Sequence, residues 1–252
     1  MVDTHCHIFH EYYDNIDEVI NKMESNIIIV NGTNINDNKE VLELVKKYKN
    51  VYGALGLHPT EIGSSYEETL SFIEKHLNDQ KIVGIGEIGL DYHYTLENKD
   101  IQKEVFIKQL NLARKYNKSV IIHSRDAIND TLEILKEYKD IKKDIHSFSG
   151  SLESAIEFIK INCRLGIGGV LTFKNAKRLQ NIVENVDIHS FLLETDSPYL
   201  TPEPYRGSKN EPYNIIYVAK KISEIKGISL EDVLSITTSN AISQFDLDKY
   251  LC

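Results

Sequence analysis

The chain has 252 residues, of which 41% are hydrophobic and 27% are charged, and its formal net charge is −9 at pH 7. This composition is typical of a globular protein, and the chain is long enough to bury a substantial core. The acidic balance argues against a protein that coats nucleic acid by bulk electrostatics, but not against an enzyme with a local basic rim.

The cysteines and the apolar runs narrow the class of protein further. Cys6, Cys163 and Cys252 are too few and too scattered for a disulfide framework, so we expect reduced packing residues. The longest apolar runs, such as residues 27–30, are far too short to span a bilayer. The chain also lacks the pattern of a signal peptide, and we therefore expect a cytoplasmic protein that does not enter a membrane.

Apolar, β-branched runs alternate with amphipathic stretches of helical length along the chain. The runs that predict strands are 2–8, 27–32, 51–57, 81–88, 119–123, 144–148, 164–169 and 190–195. Helical periodicity is clear over 37–48 and 100–116, and two further helices are predicted at about 214–226 and 229–242. Short clusters of Gly, Asn, Asp and Ser separate these segments, as turns should.

The order of these elements predicts the fold class. Eight β-then-α units with mostly apolar strands favour a parallel sheet covered by helices. Eight units close a (β/α)8 TIM barrel, an α/β fold whose typical size is about 250 residues. A doubly wound open sheet is the alternative, but no Gly-rich phosphate loop follows the first strand. No linker or shift in composition divides the chain, so we predict a single domain over residues 1–252.

The first predicted strand ends in a pair of histidines. Because side chains alternate along a strand, His5 and His7 project to the same side together with Asp3. Imidazole pairs on one face commonly hold a divalent transition metal. Cys6 lies between the histidines and points to the opposite face, so we do not expect it to be a ligand. Alone, the pair is equally compatible with histidines that merely end a strand.

Further residues of the types that bind metals recur at the ends of later strands. They are His58, Glu87, His123, His146 and Asp196. In a (β/α)8 barrel the carboxyl ends of the strands build the active site. Each residue alone could be an ordinary polar residue or a helix cap. Their common position at one rim of the predicted barrel instead favours a shared site.

Four imidazoles and two carboxylates suffice for two divalent ions, with Glu87 as the bridging ligand. Such ions, roughly 3.5–4 Å apart, would polarise a phosphoryl oxygen and lower the pKa of a water molecule. Asp196 could bind one ion and accept a proton from the attacking water. Mixed nitrogen and carboxylate ligands suit Zn²⁺, Mn²⁺ or Fe²⁺ better than Mg²⁺, but the sequence does not identify the ion.

Several motifs follow one another over nearly the whole chain. They read DTHCH at 3–7, GLHP at 56–59, GIGEIGLDY at 84–92, VIIHSRDA at 120–127, HSFSG at 146–150, LETDSPYL at 193–200, RGSKNEP at 206–212 and TSNA at 238–241. In these motifs the chain resembles the TatD family of metal-dependent deoxyribonucleases, within the amidohydrolase-like barrels.

The resemblance implies a divalent-metal phosphodiesterase site in a (β/α)8 barrel. The residues that fall on the family's metal positions are His5, His7, Glu87, His123, His146 and Asp196, and we assign catalytic roles to Glu87 and Asp196. Glu87 would take the place of the carboxylated lysine that bridges the metals in other amidohydrolase barrels. The family removes nucleotides from DNA, often from the 3′ end of single strands, and has been linked to DNA repair.

The chain departs from the family pattern at two positions. A second histidine often follows the Gly-x-His-Pro motif, and this chain has Thr60 there. Two consecutive basic residues are common after Arg206-Gly207, and here Ser208 replaces the first of them. Thr60 cannot supply the substrate contact that a second imidazole could make at the rim. Ser208 in place of a basic residue would weaken binding to the DNA backbone.

Phosphate groups require cationic or N–H donors near the metals. Arg125 lies two residues after His123, and Arg206 and Lys209 lie in the long loop after the eighth strand. We assign these three cations to DNA binding, with His58 as a further substrate contact. Solvated side chains paired with nearby acids are the alternative.

Aromatic residues near the strand ends could stack on unpaired bases. The candidates are Tyr92, Tyr94, Tyr199 and Tyr205, and we prefer Tyr92 because it directly follows Asp91 in a matched motif. Packing of loops by these tyrosines is the alternative.

We therefore predict a monomeric, divalent-metal-dependent deoxyribonuclease that acts as a 3′–5′ exonuclease on single strands or 3′ ends. Two other functions stay open. A small-molecule amidohydrolase or lactonase could use the same metal site, but it would need an apolar pocket without a cationic rim. A binding module without catalysis would lack the bridging carboxylate or the proton acceptor, and this sequence has both Glu87 and Asp196.

Overall fold

The structure is a computed structural model that describes residues 1–94 and 97–250. Within these ranges eight strands form one sheet in chain order, and each strand is parallel to the next. The strands are β1 Val2–Cys6, β2 Ile27–Asn31, β3 Val51–Leu55, β4 Ile82–Asp91, β5 Ser119–Arg125, β6 Lys143–Ile145, β7 Cys163–Ile167 and β8 Phe191–Leu193.

Nine α-helices connect and follow these strands in the described ranges. They are α1 Ile16–Asn21, α2 Ile35–Lys47, α3 Tyr66–His76, α4 Lys99–Tyr116, α5 Ile128–Leu135, α6 Leu152–Lys160, α7 Lys177–Asn185, α8 Ile215–Lys226 and α9 Leu230–Phe245. A short 3-10 helix, Pro59–Glu61, follows β3 and becomes important below. The predicted helices at 37–48, 100–116, 214–226 and 229–242 correspond to α2, α4, α8 and α9.

Backbone hydrogen bonds between β1 and the segment after β8 close the barrel. The Asp196 N–H donates to the carbonyl of His5 at 2.9 Å, and the His7 N–H donates to the carbonyl of Ser197 at 2.7 Å. The predicted (β/α)8 architecture is therefore confirmed. Because all the strands run in the same direction, their carboxyl ends meet at one mouth of the barrel.

Apolar side chains fill the other end of the barrel. Val2, Tyr52 and Ile121, near the beginnings of their strands, belong to a buried cluster with Phe245 and Leu247 at the end of the chain. A larger cluster packs the outer faces of the strands against the helices. One end of the barrel is thus plugged by α9 and the residues after it, whereas polar side chains occupy the opposite mouth.

The boundaries of β4 and β6 differ most from the predicted ones, and β6 ends at Ile145 rather than at residue 148. Strand β4 was expected to end at residue 88, but it continues to Asp91. Its pairing with β5 shifts between Ile85 and Ile88 and then resumes, with Ile88 opposite Ile122. The irregularity interrupts the alternation of side chains in the sequence, which is why the strand seemed to end there.

The two cysteines in the described part of the chain form no disulfide bond with each other. Cys6 and Cys163 are buried and unpaired. The thiol of Cys6 lies 3.5 Å from the carbonyl of Ile29, within the core and away from the histidines. Cys252 lies outside the described residues. No helix of the described chain is long and apolar enough to cross a membrane.

Candidate metal centre

The side chains predicted to bind metals converge at the mouth of the barrel. His5 and Glu87 lie on β1 and β4, and His123 lies on β5. His7, His146 and Asp196 stand one to three residues beyond the ends of β1, β6 and β8. The structure therefore gathers residues that are separated by up to 191 positions in the sequence.

Glu87 enters the mouth from the irregular segment of β4. Its backbone N–H donates to the carbonyl of Gly32 at 2.9 Å, and the residue is 4% exposed. Gly56, which follows β3, lies directly against this segment. A Cβ atom at Gly56 would stand 2.6 Å from the Glu87 nitrogen, so only glycine allows this close approach.

The two carboxylate oxygens of Glu87 face different histidines. Its Oε2 lies 3.4 Å from Nε2 of His5 and 3.5 Å from Nε2 of His7. Its Oε1 lies 2.8 Å from Nδ1 of His123, 3.6 Å from Nε2 of His58 and 3.9 Å from Nε2 of His146. A carboxylate placed in this way can bridge two cations.

Asp196 completes the cluster opposite Glu87. Its Oδ1 lies 3.7 Å from Nε2 of both His5 and His7, and 3.8 Å from Nε2 of His146. Three overlapping groups have ligand atoms within 4.8 Å of one another: His5, His7 and Glu87; His5, His146 and Asp196; and His58, Glu87 and His123. Nitrogen and carboxylate ligands at these separations suit divalent transition metals.

Hydrogen bonds behind the histidines orient their rings. Nδ1 of His7 lies 2.9 Å from the carbonyl of Asn31, which can only accept, so Nδ1 carries a proton and, in the neutral ring, Nε2 carries the lone pair. Nε2 of His123 lies 3.1 Å from Oδ2 of Asp91. Contacts of this kind fix which ring nitrogen is free for a metal.

Glu194 occupies the corresponding position behind His146. Its Oε1 stands 3.1 Å from Nδ1 of His146 and accepts a hydrogen bond from the N–H of Ser147 at 2.7 Å. Nδ1 of His146 has no well-aligned hydrogen-bond acceptor among the described residues, so this contact is an ion-pair distance without ideal hydrogen-bond geometry. Glu194 itself is fully buried.

Asp91 and Glu194 were not assigned a role from the sequence, although both occur in matched motifs. A signal for them was present. Glu194 lies two residues before Asp196 and Asp91 lies four residues after Glu87, so each is a carboxylate within the motif of a candidate ligand.

The pKa values at the site reflect burial and close charges. Burial raises the pKa of Asp196 to about 6. Burial alone would lower the pKa of His123, but its contacts with Asp91 and Glu87 raise it to about 9. Burial would likewise raise the pKa of Glu87, but the surrounding histidines hold it well below its ordinary value. Without metal, the carboxylates of Glu87 and Asp91 therefore favour the protonated, cationic form of His123.

The candidate ligands His5, His7, Glu87, His123, His146 and Asp196 are together called the metal cluster. This cluster opens into a cavity of about 480 Å³. Arg125 and His58, two of the predicted substrate contacts, line it, as do the aromatic side chains of Phe9, Tyr12, Tyr94 and Tyr199. The guanidinium of Arg125 lies 5.3 Å from the centre of the Tyr94 ring and 3.3 Å from its hydroxyl. The carboxylates of Asp37 and Glu61 border the same cavity.

The other predicted substrate contacts lie away from this cavity. Tyr92 is buried, donates to Asp130 at 2.8 Å, and borders a neighbouring depression. Arg206 stacks over the ring of Phe173 at 4.2 Å. Lys209 donates to the backbone carbonyl of Tyr12. The structure therefore brings Arg125 and His58 to the metal cluster, but not Tyr92, Arg206 or Lys209.

A closed (β/α)8 barrel with histidines and carboxylates gathered at the carboxyl ends of its strands defines a TIM barrel with a candidate metal centre at its mouth. The family model described as TatD related DNase matches residues 2–246, and the chain belongs to this family.

Three relatives illustrate the similarity. The uncharacterized metal-dependent hydrolase YabD of Bacillus subtilis (strain 168) is 41% identical over 98% of this chain and 100% of its own length. Deoxyribonuclease TATDN3 of Homo sapiens is 32% identical over 100% of this chain and 96% of its own length. The crystal structure of YjjV, a TatD homologue from Escherichia coli K12, has a TM-score of 0.90 at 28% identity and covers 98% of both chains.

Proposed function

We propose that the protein is a divalent-metal-dependent deoxyribonuclease that hydrolyses phosphodiester bonds. The observation that carries this proposal is the position of Glu87, whose two oxygens face two sets of histidines beside the partly buried Asp196. The names of the relatives support it, because one is called a metal-dependent hydrolase and another a deoxyribonuclease.

The donor set fits two divalent ions. One ion would be held by His5, His7, Glu87 and Asp196, and the other by Glu87, His123 and His146. The lone pair on Nε2 of His7 and the bridging position of Glu87 agree with this arrangement. When bound, such ions would polarise a phosphoryl oxygen and make water a nucleophile near neutral pH.

Asp196 would act as the proton acceptor. Its oxygen faces the cavity within 3.8 Å of the histidine nitrogens, a position from which a carboxylate can accept a proton from water. The water oxygen would attack phosphorus, the bond from phosphorus to the leaving sugar oxygen would break, and the proton from water would pass to Asp196. The leaving oxygen would take a proton from solvent.

The cavity favours an unpaired strand end as the substrate. Its volume of about 480 Å³ suits a nucleotide rather than a duplex. Arg125 supplies a cation for a phosphate, and Tyr12, Tyr94 and Tyr199 offer rings on which bases can stack. We therefore propose exonucleolytic action at 3′ ends, as the family resemblance implies.

The remaining predictions from the sequence extend this proposal. Arg206 and Lys209 would contact the strand at a distance from the metals, and Tyr92 would do so from the neighbouring depression. We further propose that the barrel forms a single domain over residues 1–252. A monomeric state, a cytoplasmic location and a role in DNA repair stay predictions.

Digestion of end-labelled DNA tests the proposal. Single- and double-stranded substrates are incubated with the protein and Mg²⁺, Mn²⁺, Co²⁺ or Zn²⁺, with a chelator as the blank. We expect the wild type to shorten single strands progressively from the 3′ end. No cleavage should occur when the chelator is present or when His123→Ala replaces the wild type. His189→Ala is the matched control, because His189 is an exposed histidine paired with Asp187. A fully active His123→Ala variant would end the assignment.

The same preparations distinguish the alternative hydrolase. If no DNA is cleaved with any ion, while small amides or lactones are hydrolysed, the site belongs to a small-molecule amidohydrolase or lactonase. Tight DNA binding without turnover would instead indicate a binding module.

A further inference from the structure

His58 stands where a further metal ligand could be placed. Its Nε2 lies 3.6 Å from Oε1 of Glu87, and its ring centre is 4.4 Å from that of His123. The three residues form one of the groups whose ligand atoms lie close enough to hold an ion. Distance alone would therefore add His58 to the metal ligands.

The hydrogen bonds of His58 with Thr60 determine which ring nitrogen carries the proton. The backbone N–H of Thr60 donates to Nδ1 of His58 at 3.2 Å, and the Thr60 hydroxyl lies 2.7 Å from the same nitrogen. A ring nitrogen that accepts from an N–H group cannot itself be protonated. The ring is therefore neutral, and its single proton is on Nε2, the nitrogen that faces the cavity.

The backbone holds this arrangement rigidly. The N–H of His58 donates to the carbonyl of Thr33 at 2.8 Å, which ties the residue to the end of β2. The next three residues form the 3-10 helix Pro59–Glu61, and the imidazole of His58 caps its first turn. Rotation of the ring to exchange its nitrogens would break this cap.

His7 has the opposite tautomer. Its Nδ1 donates to a carbonyl, so in the neutral ring it is Nε2 that presents a lone pair to the centre. His58 presents an N–H to the same space, and a protonated nitrogen cannot bind a metal ion. The two histidines therefore differ in chemistry although both face Glu87.

We propose that His58 binds no metal ion and instead donates its Nε2–H to a phosphoryl oxygen of the substrate. The backbone N–H of Thr60 fixes this tautomer, at the position where the family often has a second histidine. This inference rests on the proposed function, and it gives His58 the role of an uncharged donor to the developing negative charge. Loss of one such preorganised donor typically lowers kcat by about 10²–10³-fold.

Metal content and kinetics of His58 variants test the proposal. We expect His58→Ala to bind as many Mn²⁺ ions as the wild type, with an unchanged dissociation constant, while kcat for single-stranded DNA falls by about 100-fold. His58→Gln, whose amide N–H can donate, should recover part of that loss. His123→Ala is the positive control, which should lose metal. A loss of one ion or a tenfold weaker dissociation constant in His58→Ala would overturn the proposal.

A second measurement does not depend on the variants or on activity. In the metal-free protein, ¹⁵N NMR of the labelled imidazole should show Nδ1 of His58 as the unprotonated nitrogen. Thr60→Val keeps the backbone donor and should give the same spectrum. A protonated Nδ1 would contradict the inference. If the wild type hydrolyses no DNA, the proposed function fails, whereas the spectrum and the metal content still decide whether His58 can be a ligand.

Discussion

Asp91 and His123 form a pair at the back of the metal cluster, with Oδ2 of Asp91 3.1 Å from Nε2 of His123. The other ring nitrogen, Nδ1, lies 2.8 Å from Glu87. Because both carboxylates accept hydrogen bonds, the metal-free ring favours a proton on each nitrogen, and a cation beside Glu87 would displace the Nδ1 proton while Nε2 keeps its hydrogen bond to Asp91. Oδ1 of Asp91 in turn accepts from the N–H of His93 at 2.9 Å, which holds the carboxylate in place.

We expect Asp91→Asn to weaken binding of divalent ions by about 10–100-fold, the usual effect of losing a partner that orients a ligand histidine. Competition with a chromophoric chelator measures the change. Asp246→Asn is the control, because Asp246 is paired with Lys142 at the opposite end of the barrel. Equal losses in the two variants would show that the effect does not depend on the contact with His123.

Metal binding should become tighter as the pH rises. Without metal, contacts with Asp91 and Glu87 raise the pKa of His123 to about 9, so an ion must displace a proton at neutral pH. Isothermal titration in buffers of different ionisation enthalpy should therefore detect proton release. An affinity that is constant between about pH 6 and pH 9 would show that no bound proton competes with the metal.

Asp196→Asn should stabilise the metal-free protein at alkaline pH while it abolishes most activity. Burial raises the pKa of Asp196 to about 6, so the folded state binds this proton more tightly than the unfolded state. Its contribution to stability is present at low pH and is lost as the pH rises through about 6. The variant should melt above the wild type at about pH 8 and near it at about pH 4.

Activity provides the second readout for this variant. Loss of a general base typically lowers kcat by about 10²–10⁴-fold, and we expect a fall in that range for Asp196→Asn. A variant that is less stable at alkaline pH, or that retains full activity, would contradict the role assigned to Asp196.

Arg125→Ala should raise KM for single-stranded DNA and reduce the dependence of binding on salt by about one phosphate contact. Arg206→Ala should also weaken DNA binding, but less, because Arg206 stacks on Phe173 outside the cavity. Titration of labelled DNA at several salt concentrations compares the two variants. A larger effect of Arg206 would place the path of the strand over the loop after β8.

The convergence of the candidate ligands could be predicted because parallel strands direct their carboxyl ends to the same mouth. His5 and His7 required only the alternation of side chains along β1, and His123, His146 and Asp196 required only that each predicted strand end near them. Boundary errors of a few residues did not matter, since the prediction required only that each residue lie near the carboxyl end of its strand.

The substrate contacts were harder to predict because they depend on loops and on the irregular β4. Tyr92 follows Asp91, which is paired with Arg125 at the end of β4, so alternation turns Tyr92 away from the cavity. A strand that seemed to end at residue 88 concealed this relationship. Arg206 lies in a long loop without periodicity, and nothing in the local sequence indicates its packing on Phe173.

Anomalous X-ray diffraction from crystals grown with Mn²⁺ tests the central claim most directly. We predict two peaks at the mouth of the barrel, both next to Glu87, one beside His5 and His7 and the other beside Nδ1 of His123. His58 should bind neither ion through Nε2. Peaks away from Glu87, or no peak at the mouth at saturating Mn²⁺, would contradict the two-metal account.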